Sequence, residues 1–290
     1  MDISGVGIWS TGLRASTATD PGVIPEAATE LEELGYTAVW IPGGAGNQDF
    51  QDAEAVLGAT GRIVHATGIL NIWMHEATEV AAKHAALTAA YPDRFLLGLG
   101  VSHAPMVDAG SAGRYRKPYA AMVDFLDGLD AAPAPVPVTE RALAALGPRM
   151  LALSAVRSLG AHPYLVTPEH TAIARETLGA GPLLAPELKV VLETDPDTAR
   201  VIARDHLSRY LVLPNYVNNL LRLGYTEDDV AGEGSDALVD RVFAWGDEAA
   251  VIARLKEHQA AGADHVCLQV FTSDNSVLPR EQWRRIAAAL

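Results

Sequence analysis

The sequence predicts an α/β protein of the (β/α)8 TIM-barrel class with a helical insertion after the seventh strand. Three observations carry that prediction. Short apolar runs rich in β-branched residues alternate with helical stretches almost from end to end. Gly, Asn, Trp and His residues gather where the predicted strands end, the face on which α/β folds carry their ligands. The 290 residues hold about eight strand–helix units, an ordinary barrel length. An open doubly wound sheet would show a G-x-G-x-x-G turn after its first strand; WSTGLRAS has no such spacing.

In chain order, residues 6–9 form the first strand. Residues 25–34 form a helix stopped by Gly35. Residues 36–41 (YTAVWI) are the second strand, broken by Pro42-Gly43-Gly44, and residues 52–60 the second helix. Residues 63–70 are the third strand. An Ala-rich helix over 76–91 ends at Pro92-Asp93 and leads into the fourth strand, 95–99. Two buried strands joined this way make a right-handed βαβ crossover. A helix over 118–129 is followed by AAPAPVPVTE, too short for an interdomain linker, so residues 1–290 form one domain. The fifth strand covers 141–146 and its helix 148–159. The sixth strand covers 163–166. A helix over 169–178 follows, with Thr167 as N-cap and Pro168 at its first position. The seventh strand covers 188–193, and Asp195-Pro196 opens a long helix through about residue 212. Residues 214–245 exceed an ordinary βα connection and read as inserted short helices. A helix over 247–260, the eighth strand over 264–271 and a helix from Pro279 close the chain.

The formal net charge of −14 argues against a nucleic-acid partner, which requires a basic face. The one cysteine, Cys267, sits in the apolar run HVCLQVF and reads as a buried small hydrophobe. A single cysteine permits no intrachain disulfide and suits a reducing compartment. No basic-then-apolar leader and no membrane-length apolar run are present, so a cytoplasmic protein with no membrane partner is expected.

Polar residues at strand ends are the functional candidates. Gly98–His103 (GLGVSH) lacks full dinucleotide spacing and a Walker lysine. It reads as a backbone surface for something flat, with His103 either a solvated loop residue or a proton donor. ALGPRML places Gly147 and Pro148 at a helix start, where free N–H groups attract anions, with Arg149 adding charge. Trp9, Trp40 and Trp73 stand at or near three strand exits and suit a planar ligand, although Trp40, with apolar neighbours, reads equally as core; His75 lies just beyond the third. His65 and His84 read as packing or surface residues. His162, Glu169 and His170 lack metal-ligand spacing, so no metal site is expected. No G-x-S-x-G elbow supports a serine hydrolase. The acidic residues between Glu227 and Asp236 read as a solvated face.

Four pieces in order resemble the bacterial-luciferase-like superfamily of flavin- and deazaflavin-dependent oxidoreductases. They are GIWS, GYTAVWI, the block ATGILN…YPDRFLLGLGVSH, and ALGPRML. The third matches a G-T-x-V strand, a helix and GRF-x-LG-x-G; the fourth matches an A-x-GP-x-M turn. AGADHVCLQV is close to the family's last strand, so the resemblance covers most of the chain. The GLGVSH exit and the ALGP turn are similar to those of members using coenzyme F420, a 5-deazaflavin. The resemblance implies a cofactor ring lying against the third strand at Gly68-Ile69, where the family often has a non-prolyl cis peptide. It implies that Trp9, Gly43 and Asn71 border the ring and that Gly100, Val101 and Ser102 contact the ring or ribityl chain. It places the phosphate at Leu146, Gly147 and Pro148, with Arg149 beside them, and makes Trp73 and His75 substrate-pocket residues.

The sequence departs from the pattern in one respect that bears on chemistry. Members that oxidise sugar phosphates have Asp-His at the end of the second strand; this chain has Gly43-Gly44. Where those enzymes have an acid after the fourth strand, this one has His103, which becomes the candidate proton-transfer residue. The leading expectation is an F420-dependent oxidoreductase acting on a small organic substrate. An FMN-dependent monooxygenase and a non-catalytic cofactor-binding barrel are the alternatives. Family analogy points to a homodimer.

Overall fold

The strands form because their residues are apolar on both faces, as parallel strands covered by helices must be. In chain order they are β1 (Gly5–Trp9), β2 (Ala38–Ile41), β3 (Val64–Thr67), β4 (Leu70–Asn71), β5 (Phe95–Gly100), β6 (Arg141–Leu143), β7 (Gly160–Ala161), β8 (Leu183–Leu184), β9 (Glu187–Val191), β10 (Phe243–Trp245) and β11 (His265–Phe271). The helices are α1 (Val23–Glu33), α2 (Gln48–Ala59), α3 (Ala77–Ala90), α4 (Ala104–Asp108), α5 (Pro118–Asp130), α6 (Pro148–Arg157), α7 (Pro168–Leu178), α8 (Pro196–Leu207), α9 (Pro214–Arg222), α10 (Glu227–Val230), α11 (Asp236–Val242), α12 (Glu248–Ala260) and α13 (Arg280–Ala287). This computed structural model describes residues 1, 3–14, 18, 20, 22–44, 46–110 and 112–290.

All strand pairings among the described residues are parallel, in the order β10-β9-β11-β1-β2-β3-β5-β6-β7-β8. The two arms of that order are one stretch of chain, because β8 runs into β9. Ala185 N–H donates to Ala161 O at 2.9 Å and Glu187 N–H to Pro163 O at 2.9 Å, so the sheet closes into a barrel. Period-two alternation sorts each strand between two cores. Ala38, Trp40, Ala66, Leu96, Ala142 and Cys267 fill the barrel interior. Val39, Ile41, Val266, Leu268 and Val270 pack outward against α1, whose Ile24, Ala27, Ala28 and Leu31 recur at helical spacing.

Four details differ from the sequence reading. The third strand is not continuous over 63–70: it breaks at Gly68-Ile69, where the non-prolyl cis peptide implied by the family resemblance is present, and β4 restarts beside β5 with Asn71 opposite Gly100. The sixth strand is β7, not residues 163–166. Leu165 takes a positive φ of 57° there, and its side chain is buried in the core of the insertion, which explains the misleading apolar run. Helix α8 stops at Leu207, after which the chain turns so that Leu211 and Leu213 join that same core. The insertion is not wholly helical: Phe243–Trp245 pairs with β9 at Lys189–Val191. The FAW triplet directly follows α11 and is too short to show its own period.

Candidate active site

The strand-exit face opens into a cavity of about 1040 Å³. That is the upper end of the range for small-molecule sites, and it leaves room for a cofactor and a second molecule. One wall is the broken third strand and its neighbour. A Cβ on Gly98 would fall 1.9 Å from Thr67 O, and one on Gly100 would fall 2.5 Å from Ile69 Cδ1. The glycines of FLLGLG therefore first serve the close approach of β3 to β5; Thr67 Oγ1 also donates to Gly98 O at 2.7 Å. Gly68, Ile69, Asn71, Gly100, Val101 and Ser102 line this wall, with Trp9 and Gly43 beside them. The Trp9 indole N–H is buried and finds no acceptor among the described residues.

Two sequence-chosen pocket residues do not line the cavity. The one-turn helix Ile72–Met74 rotates Trp73 away, so its Nε1–H donates to Val101 O at 2.8 Å and its ring packs on Tyr115 at 5.6 Å. Met74 faces the cavity instead. His75 turns beneath the second-strand exit, with Nε2 3.6 Å from Asp49 Oδ2. Asp49 accepts from Gly44 N–H, and burial raises its pKa to about 6. Trp40 is likewise core, stacked on His162 at 4.2 Å.

At the fifth-strand exit, Leu146 and Gly147 line the cavity and Gly147 is the N-cap of α6. His170 Nε2–H donates to Leu146 O at 2.9 Å and so holds the turn. Pro148 and Arg149 point elsewhere; the Arg149 guanidinium lies 4.3 Å over the Tyr119 ring. The guanidinium of Arg222 from α9 lies near this turn: a Cβ on Gly147 would lie 3.7 Å from Arg222 Nη1.

His103 is half-buried, lines the cavity and N-caps α4 with its backbone. Its Nδ1 lies 3.1 Å from Asn215 Oδ1 and its ring 5.3 Å from Tyr216. Burial lowers its pKa, partly opposed by the Asn215 bond. Part of the remaining wall comes from residues that sequence reasoning missed: Tyr164 after β7, His206 near the end of α8, Tyr210 just beyond it, Asn215 and Tyr216 of α9, and Gln269 of β11.

The model of the luciferase-like monooxygenase family matches residues 6–265. The chain belongs to that family. No curated protein matches it. Solved luciferase-like barrels of similar fold include an F420-dependent secondary alcohol dehydrogenase bound to an F420–acetone adduct, 15% identical over 96% of this chain and 99% of that one, TM-score 0.73. The coenzyme F420-dependent tetrahydromethanopterin reductase of Methanopyrus kandleri is 15% identical over 99% and 98%, TM-score 0.70. The oxygenating constituent of 3,6-diketocamphane monooxygenase, from the CAM plasmid of Pseudomonas putida and bound to FMN, is 14% identical over 98% and 96%, TM-score 0.70. These likenesses establish a luciferase-like barrel, a fold that serves both deazaflavin and flavin enzymes. Among the described residues no His, Cys, Asp or Glu cluster suits a metal ion, and no helix is long and apolar enough to cross a membrane.

Proposed function

We propose that the chain is an F420-dependent oxidoreductase that moves hydride between the deazaflavin and a small organic substrate, with His103 as the acid–base group. The observation that carries this reading is the position of His103. It stands in the cavity directly after the Gly100–Ser102 wall, tethered through Nδ1 to Asn215. With Nδ1 against an amide oxygen, the ring proton sits on Nδ1 and Nε2 keeps its lone pair. Burial keeps the ring neutral at pH 7, so it is ready to take a proton or to relay one.

The residues present fit a deazaflavin. The orphaned Trp9 indole N–H offers a donor to a ring carbonyl. A Cβ on Gly68 would crowd that same nitrogen at 2.6 Å, so the wall is kept bare there. Gly68, Ile69, Asn71, Gly100, Val101 and Ser102 would hold the ring, with Trp9 and Gly43 at its edge. The Leu146–Gly147 turn at the start of α6 would take the phosphate, with Arg222 supplying the charge expected of Arg149. The cofactor supplies hydride acceptance and donation; the chain orients it, shields it and handles the proton. A homodimer is part of this reading.

Titration with F420 and with FMN, followed by fluorescence quenching, tests it. Saturable F420 quenching at concentrations where FMN does not bind is expected. Binding of neither, or a preference for FMN, overturns the proposal.

A further inference from the structure

Across the cavity from the third-strand wall lies a polar network that hydride transfer does not itself require. Lys189 and Glu187 of β9 form an ion pair inside the barrel, Nζ to Oε1 2.9 Å, with side chains 1% and 0% exposed. The pair is fully engaged. Glu187 Oε2 accepts from Leu165 N–H at 3.2 Å; Lys189 also reaches Gln269 Oε1 at 3.2 Å and lies 3.9 Å over the Tyr164 ring. A buried ion pair contributes little stability beyond apolar packing of equal volume, so what it orients matters more.

The orientation propagates outward. An ammonium has only donors, so Gln269 must turn its oxygen toward Lys189. That oxygen lies 2.8 Å from the Tyr164 hydroxyl, which donates its one proton to it. The Tyr164 oxygen is left to accept, from the Tyr210 hydroxyl at 3.0 Å and from His206 Nε2–H at 3.3 Å. Both protons therefore point into the wall. Tyr210 keeps its oxygen lone pairs and His206 its Nδ1 lone pair, on residues that line the cavity. Burial pushes the His206 pKa down to about 2, so the ring stays neutral. His162 extends the pattern. Its Nδ1–H donates to Ala185 O at 2.7 Å, leaving Nε2 buried and unpartnered among the described residues. These acceptors are set among aromatic rings packed tilted and edge-on: Trp9 to Tyr164 5.2 Å, Tyr164 to Tyr210 5.4 Å and Tyr210 to Tyr216 5.1 Å.

We infer that this wall selects planar ring compounds carrying a hydroxyl donor, with Tyr210 and His206 as specificity-determining residues. The inference rests on the reading of the cavity as the substrate chamber of a hydride-transfer enzyme. The one hydroxyl proton is the donor that the wall receives. The corresponding ketone or aldehyde has no donor for the wall and is held less tightly than the alcohol.

The test is a binding comparison with 1-phenylethanol, its O-methyl ether and acetophenone. Each is titrated by calorimetry into the purified full chain and into the chain loaded with F420. The alcohol is expected to bind about tenfold tighter than either analogue, the scale of one well-made hydrogen bond. Tyr210→Phe deletes one acceptor oxygen and should erase most of that preference while leaving ether binding unchanged. The double variant Lys189→Met with Glu187→Gln avoids an unpaired buried charge and should erase it too, since Gln269 is then free to turn. Equal binding of alcohol and ether to the wild type, or a preference that survives Tyr210→Phe in a protein with a native circular dichroism spectrum, overturns the inference. F420 binding is read separately by quenching, so failure of the cofactor reading is distinguishable from failure of this one.

Discussion

Two glycines two residues apart on β5 should respond very differently to the same substitution. In Gly98→Ala the new methyl would sit 1.9 Å from Thr67 O and 3.0 Å from Thr67 C. Both are backbone atoms, and the shorter distance is roughly 1.5 Å inside van der Waals contact. No rotamer relieves that overlap, so β3 and β5 must separate. The separation strains the pairing of His65 with Phe95 and of Ala66 with Leu96, and it breaks the Thr67 Oγ1 bond to Gly98 O. Overpacking of this kind costs about 3 kcal/mol, and the lost hydrogen bond adds about 1 kcal/mol. A chain of 290 residues unfolds with an entropy on the order of 0.6 kcal/mol/K, so the melting temperature should fall by about 7 °C. In Gly100→Ala the obstacle is the end of the Ile69 side chain, Cδ1 and Cγ1 at 2.5 Å, which can swing aside. Its stability cost should be about 1 kcal/mol. The displaced Ile69 side chain enters the cofactor wall, however, and F420 affinity should drop about tenfold, or 1.4 kcal/mol. Urea unfolding and F420 quenching measure the two effects. If Gly98→Ala unfolds within about 0.5 kcal/mol of the wild type, or if Gly100→Ala costs as much stability as Gly98→Ala, the close-approach argument is wrong.

Other outcomes follow from the same geometry. His103→Ala should cut kcat by about a hundredfold or more with F420 affinity intact, and the wild-type rate should fall on the acid side as the neutral ring takes a proton; single-turnover rates across pH would expose an unaffected variant. Arg222→Ala should weaken F420 binding about tenfold and steepen no salt dependence, whereas Arg149→Ala, whose guanidinium is stacked on Tyr119, should change it less than twofold; equal losses from the two would reject the assignment. His65 is buried with no hydrogen-bond partner among the described residues, and burial lowers its pKa to about 3. The depressed pKa means its contribution is fully present above the unfolded value of about 6.5 and is lost as pH falls toward 3. His65→Leu should therefore reduce the slope of unfolding free energy against pH in that window by up to roughly 1.4 kcal/mol per unit, and an unchanged slope in urea titrations at several pH values would count against it.

What the sequence revealed and what it concealed divide along physical lines. YTAVWI, FLLGLG and HVCLQVF announce strands because strands buried on both faces read as unbroken apolar runs. Gly160–Ala161 and Leu183–Leu184 are two-residue strands with no pattern to read, and Phe243–Trp245 is hidden behind a helix end. The wall at Gly68, Ile69 and Gly100–Ser102 was legible because strand exits place backbone there whatever the side chains do. Trp73 and His75 were misplaced because one turn of 3-10 helix decides which of three neighbouring side chains faces inward, and it chose Met74. The Tyr164, Tyr210 and Gln269 wall joins positions as far as 105 residues apart. Only the aromatic residues near the start of the insertion hinted at it.

The empty position at Gly43-Gly44 bears directly on where the proton chemistry sits. A Cβ at Gly43 would lie 2.5 Å from Ile69 O and 3.0 Å from Leu70 Cα, both backbone atoms of the broken strand. One at Gly44 would collide with the Arg14 guanidinium and lie 2.5 Å from Gln48 Oε1. The second-strand exit is thus packed flush against the third-strand wall and pinned from below by Asp49, which takes the Gly44 N–H. A side chain at Gly43 would meet backbone, and one at Gly44 would have to displace the ends of Arg14 and Gln48, so this exit is a poor place from which to supply an acid or base. The fourth-strand exit has the opposite character. His103 leaves the end of β5 on a short helix whose cap requires only its backbone, so its side chain is free to enter the cavity. Asn215 then reaches it from α9, within the insertion. On the proposed reading, closing one exit and equipping the other moves the acid–base group away from the second-strand exit, to the side of the cavity that α9 covers.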